Sequence, residues 1–556
     1  MERTRRTVDT GPVRYGFVLD QDKCIGCHAC TVACKEEHNV PLGVFRTYVK
    51  YVEKGKFPDT ERKFAVIRCN QCDDAPCMTI CPTAALFRRD NGIVDFDKDA
   101  CIGCKACMQA CPYDALYIDP ATQTAAKCNY CAHRVEKGME PACVIVCPEQ
   151  AIITGDLDNP ASRISTYVAS GKTTVRKPEK GTRPKVHYKG ADPATLNPSL
   201  THVLGGQMWA AATEKEATFA AMQVMGRGPG SGVPPPMDMA RTVMDTAKER
   251  APWGWKVWAY LWTKSIAAGA MGIAGVAVGC SVPGTDRLMG PIASGIALVF
   301  TALTCLLLVL DLKRPERFYL ILTRPNWSSW LVWGTLALMA FSGVCALWFV
   351  ASLAGWTGLM KALAWPAVLF SAGAAGYSAF LFRQARGRDF WLSPLLLVQL
   401  LIAAALAGAA TLLITQQFLN LFERGYVPEV TLGTRYAFDS HRTYSKGALE
   451  RVLRTGWLET CLLGSLLAQL VILIAEVVVP HGSADSRRAV RLLTHGACAA
   501  PFWGAAVLGG IALPLALVAT FRHVVAADLF AAALALAGLL IYEHLWIKVG
   551  QSVPLS

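Results

Sequence analysis

From residue 255 onward the chain is dominated by apolar runs of about 20 residues, the length that carries a helix across the hydrocarbon core of a bilayer. Eight runs, 255–280, 289–311, 328–352, 361–382, 392–415, 455–479, 499–520 and 525–547, predict eight transmembrane helices. Aromatic residues gather at several of their ends (Trp253, Trp255 and Trp258; Trp327, Trp330 and Trp333; Phe390 and Trp391), as in interfacial belts. The first 250 residues read as soluble. Within them, Asp90-Asn91-Gly92 between short apolar runs is a hairpin signal. Residues 191–250 lack strong periodicity and include Gly-Arg-Gly-Pro-Gly-Ser-Gly-Val-Pro-Pro-Pro at 226–236, a linker composition; 210–225 has the makings of a short helix. The pattern divides the chain into 1–190, a linker at 191–250, and a membrane part at 251–556.

Composition agrees. With 53% hydrophobic and 17% charged residues over 556 positions, the chain fits neither a soluble enzyme nor a disordered chain nor a coiled coil. The net charge of +13 falls mainly on the membrane half, where basic loops set topology, so it is no argument for nucleic acid.

Cysteine supplies the chemistry. Of 21 cysteines, sixteen lie between Cys24 and Cys147 in four groups of four. They are Cys24, Cys27, Cys30, Cys34; Cys69, Cys72, Cys77, Cys81; Cys101, Cys104, Cys107, Cys111; and Cys128, Cys131, Cys143, Cys147. The C-x2-C-x2-C loop wraps three thiolates around one face of an iron–sulfur cubane, and the fourth Cys, before Pro in three of the groups, points to a different cluster. Sixteen ligands at four per cluster make four [4Fe-4S] clusters. Disulfides need an oxidising compartment, and no export signal is read here: Arg5-Arg6 is not followed by an apolar stretch. Zinc ribbons use paired C-x2-C rather than the triple motif. An internal repeat supports the reading, since Asp22-Lys-Cys-Ile-Gly-Cys-His-Ala-Cys echoes Asp99-Ala-Cys-Ile-Gly-Cys-Lys-Ala-Cys.

On these motifs, residues 16 to 190 resemble the four-cluster ferredoxin subunit of molybdopterin oxidoreductases, the group that contains dimethyl sulfoxide, polysulfide and nitrate reductases. The resemblance implies an α+β ferredoxin-like fold and a pairing of the first motif with the fourth and the second with the third. Its four ligand sets are Cys24, Cys27, Cys30 with Cys147; Cys34 with Cys128, Cys131, Cys143; Cys69, Cys72, Cys77 with Cys111; and Cys81 with Cys101, Cys104, Cys107. It places the first set beside a catalytic subunit and the last beside the membrane. Some relatives carry Trp at the middle Cys of the third motif and hold a three-iron cluster there; Cys104 occupies that position here and implies a fourth cubane.

The membrane half has its own resemblance. Trp253-Gly-Trp-Lys-Val-Trp, Asp311-Leu-Lys-Arg-Pro-Glu-Arg-Phe and Thr323-Arg-Pro-Asn-Trp-Ser-Ser-Trp are similar to the NrfD/polysulfide-reductase type of anchor, well over 250–385 and beyond that by hydropathy. That family implies an all-α bundle of eight helices, a menaquinone or ubiquinone site near the ferredoxin part, and no haem. His481, His495, His523 and His544 fall near segment ends, which fits the last point. Charges inside spanning helices are costly and usually functional. Lys264, deep in the first helix, and Asp311, Arg317 and Asn326, toward the ferredoxin side, are the candidate quinone residues. Glu459, Glu476, Glu543 and His544 are read as helix-end or bundle-interior groups, with a proton path as the alternative. The basic stretch from Lys172 to Lys189 is read as a solvated face, with lipid or a partner subunit as alternatives.

Short loops on the ferredoxin side carry eleven Lys/Arg against three opposite (Arg287, Lys361, Arg522), which predicts a ferredoxin domain on the cytoplasmic side of a bacterial or archaeal inner membrane. The expected function is electron transfer and anchoring for a separate catalytic Mo/W-bis-pterin subunit, linking it to quinone in the membrane lipid. The equivalent subunit of a nickel–iron hydrogenase is the alternative.

Overall fold

The computed structural model describes residues 13–203, 207–208, 240–246, 251–282, 287–422, 446–479 and 482–556. Strand β1 (Tyr15–Asp20) anchors the first sheet. It pairs antiparallel with β8 (Ile152–Asp156) and parallel with β10 (Val186–Lys189), which holds β9 (Thr173–Thr174). Phe17, Val18 and Leu19 are fully buried, so this strand is covered on both faces. A long hairpin of β2 (Thr47–Lys56) and β3 (Asp59–Arg68) starts the second sheet. Strand β13 (Arg241–Thr246) pairs antiparallel with β2, and β11 (His202–Val203) and β12 (Gln207–Met208) pair parallel with β13. Part of the stretch read as linker therefore adds strands to the N-terminal unit. The segments 210–225 and 226–236 lie outside the described residues.

The predicted hairpin is present. Strands β4 (Leu86–Arg88) and β5 (Val94–Phe96) pair antiparallel, with Gly92 at φ 77°, where glycine adopts the left-handed turn without steric cost. A second small hairpin, β6 (Tyr117–Ile118) with β7 (Ala125–Ala126), follows the third motif. Short helices, among them Ala29–Glu37, Pro76–Ile80, Ala106–Ala110 and Ala142–Ile145, begin inside the cysteine motifs.

Among the described residues, eight helices are long and apolar enough to cross a membrane. They are α1 (Trp255–Gly279), α2 (Leu288–Asp311), α3 (Trp330–Leu353), α4 (Thr357–Gln384), α5 (Leu396–Leu421), α6 (Thr455–Val478), α7 (Pro501–Thr520) and α8 (Val525–Ser552). All eight spans match the sequence pattern, with shifted ends. Helix α8 runs to Ser552, so Glu543 and His544 sit inside it rather than at its end. The helix that contains α6 begins at Lys446, so Glu459 is also internal. Helix α1 is central and packs against α2, α4, α5 and α8. It meets α5 through small residues: a Cβ on Gly408 would stand 2.1 Å from the Gly269 carbonyl carbon. Helices α7 and α8 touch the same way at Gly510 and Gly538. Close backbone approach through small residues is how helices associate where no water drives them together.

The basic stretch read as a solvated face is mostly enclosed. Arg176 and Lys185 are 2% and 1% exposed. Lys180 pairs with Asp389 of the α4–α5 connection, Lys177 stands 3.9 Å from Asp485, and Arg176 donates to the Leu555 carbonyl. Their partners lie hundreds of residues away, in the membrane half. Sequence neighbourhood alone made this run look like a free face.

The iron–sulfur sites and their joint with the membrane

The internal repeat is a repeat of backbone conformation. Gly26 and Gly103 both have positive φ, 74° and 68°, and so do His28 and Lys105 at the residue before each third alanine-cysteine pair, at 62° and 63°. The two loops thus turn in the same way, with the three cysteines of each spaced along the turn. A Cβ at Gly26 would stand 2.6 Å from the Phe64 ring and one at Gly103 2.6 Å from Lys313, so both positions are closed to larger residues.

All sixteen motif cysteines are free thiols. Cys24 lies in the electrostatic field of Cys27 and Cys147, and Cys30 in that of Cys24 and Cys143. Cys34 is surrounded by Cys128, Cys143 and Cys131, and Cys72 by Cys69, Cys111 and Cys77. Cys107 is grouped with Cys104, Cys101 and Cys81. Two of the four groups enclose distinct cavities, one lined by Cys69, Cys72, Cys77 and Cys111, the other by Cys81, Cys101, Cys104 and Cys107. A cavity with four thiols on its wall fits a cubane, which fills space between ligands set well apart. Among the described residues, no three His, Cys, Asp or Glu side chains converge as a single ion would require. Burial pushes the Cys30 and Cys131 thiols up to about 12, so assembling a cluster on them must displace protons.

Buried cations stand beside the thiols. Arg68, 1% exposed, donates to Cys143 Sγ at 3.3 Å and faces Cys128 and Cys30. Arg46 faces Cys34, and fully buried Lys127 faces Cys77. Lys105 follows Cys104 directly and is 5% exposed. His38 Nε2 is 3.2 Å from Cys131 Sγ, and burial lowers its imidazole to about 4, so the ring is neutral at physiological pH. Sequence reading named none of these groups, because basic residues near cysteines in the chain are common and burial carries no local signal.

The fourth thiol group abuts the membrane bundle. Trp253 Nε1 donates to the Cys104 carbonyl at 3.2 Å. Arg317 Nη1 donates to the carbonyls of Lys98 and Cys101, and Asn326 Nδ2 to those of Met78 and Cys81. Asp311 is ion-paired with Lys105 at 3.1 Å. Three of the four candidate quinone residues, Asp311, Arg317 and Asn326, are thus engaged with the cysteine domain. Lys264 is apart from them. It is 1% exposed, donates to Ala375 O at 2.9 Å and Ser378 Oγ at 2.7 Å, and lies 4.8 Å over the Tyr377 ring. The first group reaches the surface: Cys27 is exposed, and so are its near neighbours in the chain Ile25 and Val32 and, two residues before Cys147, Ile145, each more than half exposed.

Comparison with known proteins agrees with this layout. A 4Fe-4S binding domain matches residues 15–36 and a 4Fe-4S dicluster domain residues 60–157. The N-terminal third is 44% identical over 191 residues to the tetrathionate reductase B-subunit of Salmonella typhimurium, covering 34% of this chain and 76% of the relative. It is 43% identical to the polysulfide reductase B-chain of Wolinella succinogenes, over 31% of this chain and 92% of that one. To the arsenate respiratory reductase iron-sulfur subunit of a Shewanella species it is 34% identical, over 32% and 96%. The family model "Polysulphide reductase, NrfD" matches residues 244–554, more than half of the chain. The chain is a multi-pass membrane protein of the NrfD polysulphide reductase family, with an iron–sulfur electron-transfer unit of the reductase B-subunit type fused in front of it.

Proposed function

We propose that this protein is the electron-transfer and anchor subunit of a membrane-bound molybdopterin oxidoreductase, exchanging electrons between a separate Mo/W-bis-pterin chain and menaquinone or ubiquinone. One observation carries the reading: the fourth thiol cavity is held against the bundle by Trp253, Asp311, Arg317 and Asn326, while the first thiol group lies at an exposed apolar face. The four ligand sets are those of the motif pairing, from Cys24, Cys27, Cys30, Cys147 at the surface end to Cys81, Cys101, Cys104, Cys107 at the membrane end. Bound there, four [4Fe-4S] clusters supply one-electron carriers in series. The chain's own residues set their order, exclude water from the inner ones and oppose their negative charge. The exposed aliphatic residues near Cys27 suit a catalytic chain, since apolar surface of that kind is what fixed partners bury.

The quinone head group is assigned to the bundle at Lys264, with Asp311, toward the cysteine domain, as the group that exchanges protons with water. Arg317 and Asn326 keep the adjacent ligand loops in place. The domain faces the cytoplasm of a bacterial or archaeal inner membrane, following the loop charge. Reductase subunits among the relatives support this reading over a nickel–iron hydrogenase. Purification of the native complex tests it: Mo or W in the large partner, about sixteen iron atoms per chain, and reduction of the clusters by added quinol are expected. Nickel in the partner, or clusters inert to quinol, would refute it. Protease protection in right-side-out and inverted vesicles tests the orientation.

A further inference from the structure

Glu543 in α8 is 4% exposed, and among the described residues neither of its oxygens meets a hydrogen-bond donor. An isolated buried carboxyl is expensive unless it takes a proton or receives a donor from outside the chain. Its charged neighbour is Lys264, across the α1–α8 contact. Lys264 has three N–H donors and spends two on Ala375 O and Ser378 Oγ. Glu476, also in the interior, differs: Tyr542 Oη donates to one of its oxygens at 2.7 Å and Trp546 Nε1 to the other at 3.3 Å. It is satisfied, whereas Glu543 is not.

Polar groups lead from this pair toward the cysteine domain, hydrogen-bonded from Lys264 through Ser378 to Tyr260 and flanked at the two ends by the charges of Glu543 and Asp311. Lys264 bonds Ser378, and Ser378 bonds Tyr260. Tyr260 lies one turn closer than Lys264 to the start of α1 and stands in the field of both Glu543 and Asp311. Asp311 closes α2 and is ion-paired to Lys105, with its side chain 14% exposed. It is the first group on this path that is not sealed inside the bundle. The direction is therefore fixed: the path opens on the cysteine-domain side.

We propose that Glu543, Lys264, Ser378, Tyr260 and Asp311 form a proton relay for a quinone head group seated at Lys264, delivering to or drawing from water on the cysteine-domain side of the membrane. The proposal rests on the quinone reading above. The unpaired oxygens of Glu543 and the spare N–H of Lys264 match the two states of the ligand, since a quinol hydroxyl donates and a quinone carbonyl accepts. Oxidation of one quinol yields one quinone, two electrons and two protons. The electrons leave one at a time with the iron–sulfur chain as acceptor. Each proton leaves a ring hydroxyl for the Glu543 carboxylate as Lys264 passes one of its own to Ser378; that proton is handed on through Tyr260 to Asp311 and water, and Glu543 then returns a proton to the Lys264 amine. Each relay group ends in the protonation state in which it began. Quinone reduction runs the same sequence backward.

The test uses the intact complex in vesicles, with a short-chain quinol and pH dyes on each side. In the wild type, quinol should reduce the clusters and protons should appear on the cysteine-domain side. Glu543→Gln should slow quinol-driven cluster reduction on the order of 100-fold, while the EPR signals after dithionite reduction stay unchanged. Its redox-difference infrared spectrum should also lose a carboxyl C=O band. Tyr260→Phe should slow electron and proton transfer together by about tenfold. Wild-type rates and an unchanged carboxyl band in Glu543→Gln would overturn the relay alone. Clusters that quinol cannot reduce even in the wild type would overturn the quinone reading, and the relay with it. Should Glu543→Gln lose its clusters, Glu543→Asp and Tyr260→Phe decide; normal quinol rates in both refute the proposal.

Discussion

Arg388 is the most consequential single side chain in the joint between the two halves. It lies between α4 and α5, is 6% exposed, and donates Nε to Gln109 Oε1 at 2.8 Å and Nη1 to the carbonyls of Gln551 and Val553 at 3.0 and 2.9 Å. Gln109 in turn donates to Gln551 Oε1, and Gln551 exchanges hydrogen bonds with the backbone of Trp253. One guanidinium thus ties a ligand-loop helix of the cysteine domain, the entrance of α1 and the end of α8. Arg388→Met leaves three buried acceptors without a donor, at about 1–3 kcal/mol each. Against that, burial lowers the guanidinium from its ordinary 12.5 to about 10, so removing the charge recovers roughly 3 kcal/mol. The net expectation is a loss of about 3 kcal/mol. The assay is thermal loss of the visible iron–sulfur absorbance in detergent, with limited proteolysis at the joint. Because Gln109 Oε1 is one of the orphaned acceptors, Gln109→Leu combined with Arg388→Met should cost less than the two changes summed. A variant as stable as the wild type, or strict additivity with Gln109→Leu, would show that the network is not what holds the halves together.

Further outcomes follow from the same structure. Cys104→Ser removes a wall of the membrane-end cavity; iron should fall by up to a quarter of about sixteen atoms, with quinol-driven reduction lost and the other EPR signals retained. Lys177 is lowered by burial from 10.5 to about 8, and among the described residues its Nζ finds no hydrogen bond. Below pH 8 both folded and unfolded states carry its proton and the burial cost is complete. From 8 to 10.5 the unfolded chain alone holds the proton, so stability should rise with pH by at most about 3 kcal/mol, and Lys177→Met should flatten that slope in pH-dependent thermal melts. Gly408→Ala drives a methyl into the α1 backbone and should lower the melting temperature, with a loss of about 1–3 kcal/mol or more, whereas Gly464→Ala, with nothing within 4 Å of the added carbon, should melt like the wild type.

Much of the architecture is legible in the sequence because it rests on strong, local signals. Eight apolar runs give eight spans, and Asn91-Gly92 gives the β4–β5 hairpin. What escapes is polar structure whose partners are distant. The spans at α5 and α8 run past the ends that hydropathy suggests because Gln416 and Gln417 are buried within the bundle and Gln551 at its joint with the cysteine domain, where polarity looks like an end. Arg317 and Asn326 are read from the sequence as quinone residues, but their partners include the backbone carbonyls of Cys101 and Cys81, which have no sequence signature. The basic run near Lys180 suggests open solvent for the same reason: Asp389 and Asp485 are far along the chain.

The cations beside the thiols bear on why electrons would travel through this domain in steps of unequal depth. Four thiolates bring more negative charge than one iron–sulfide core offsets, so adding an electron to any centre is opposed by its own ligands and by the next centre along. Arg68 is the strongest counterweight. It lies between the first and second thiol groups, bonded to Cys143 and Thr47 and stacked 4.4 Å from the Phe17 ring, where it cannot swing away. A full charge about 4 Å from a site is worth roughly 4 kcal/mol at an effective dielectric of 20, which bounds the change in a one-electron potential near 170 mV at about 59 mV per 1.4 kcal/mol. Arg68→Met should therefore drive the two centres nearest the exposed face downward by tens of millivolts up to that bound. The two centres beside Lys127 and Lys105 should move far less. Arg68→Lys, which keeps the charge but not the fork to Cys143 and Thr47, should fall between. Potentiometric EPR separates the proposed centres, and a uniform shift of all of them, or none in the first two, would refute a local electrostatic role and leave Arg68 as packing alone.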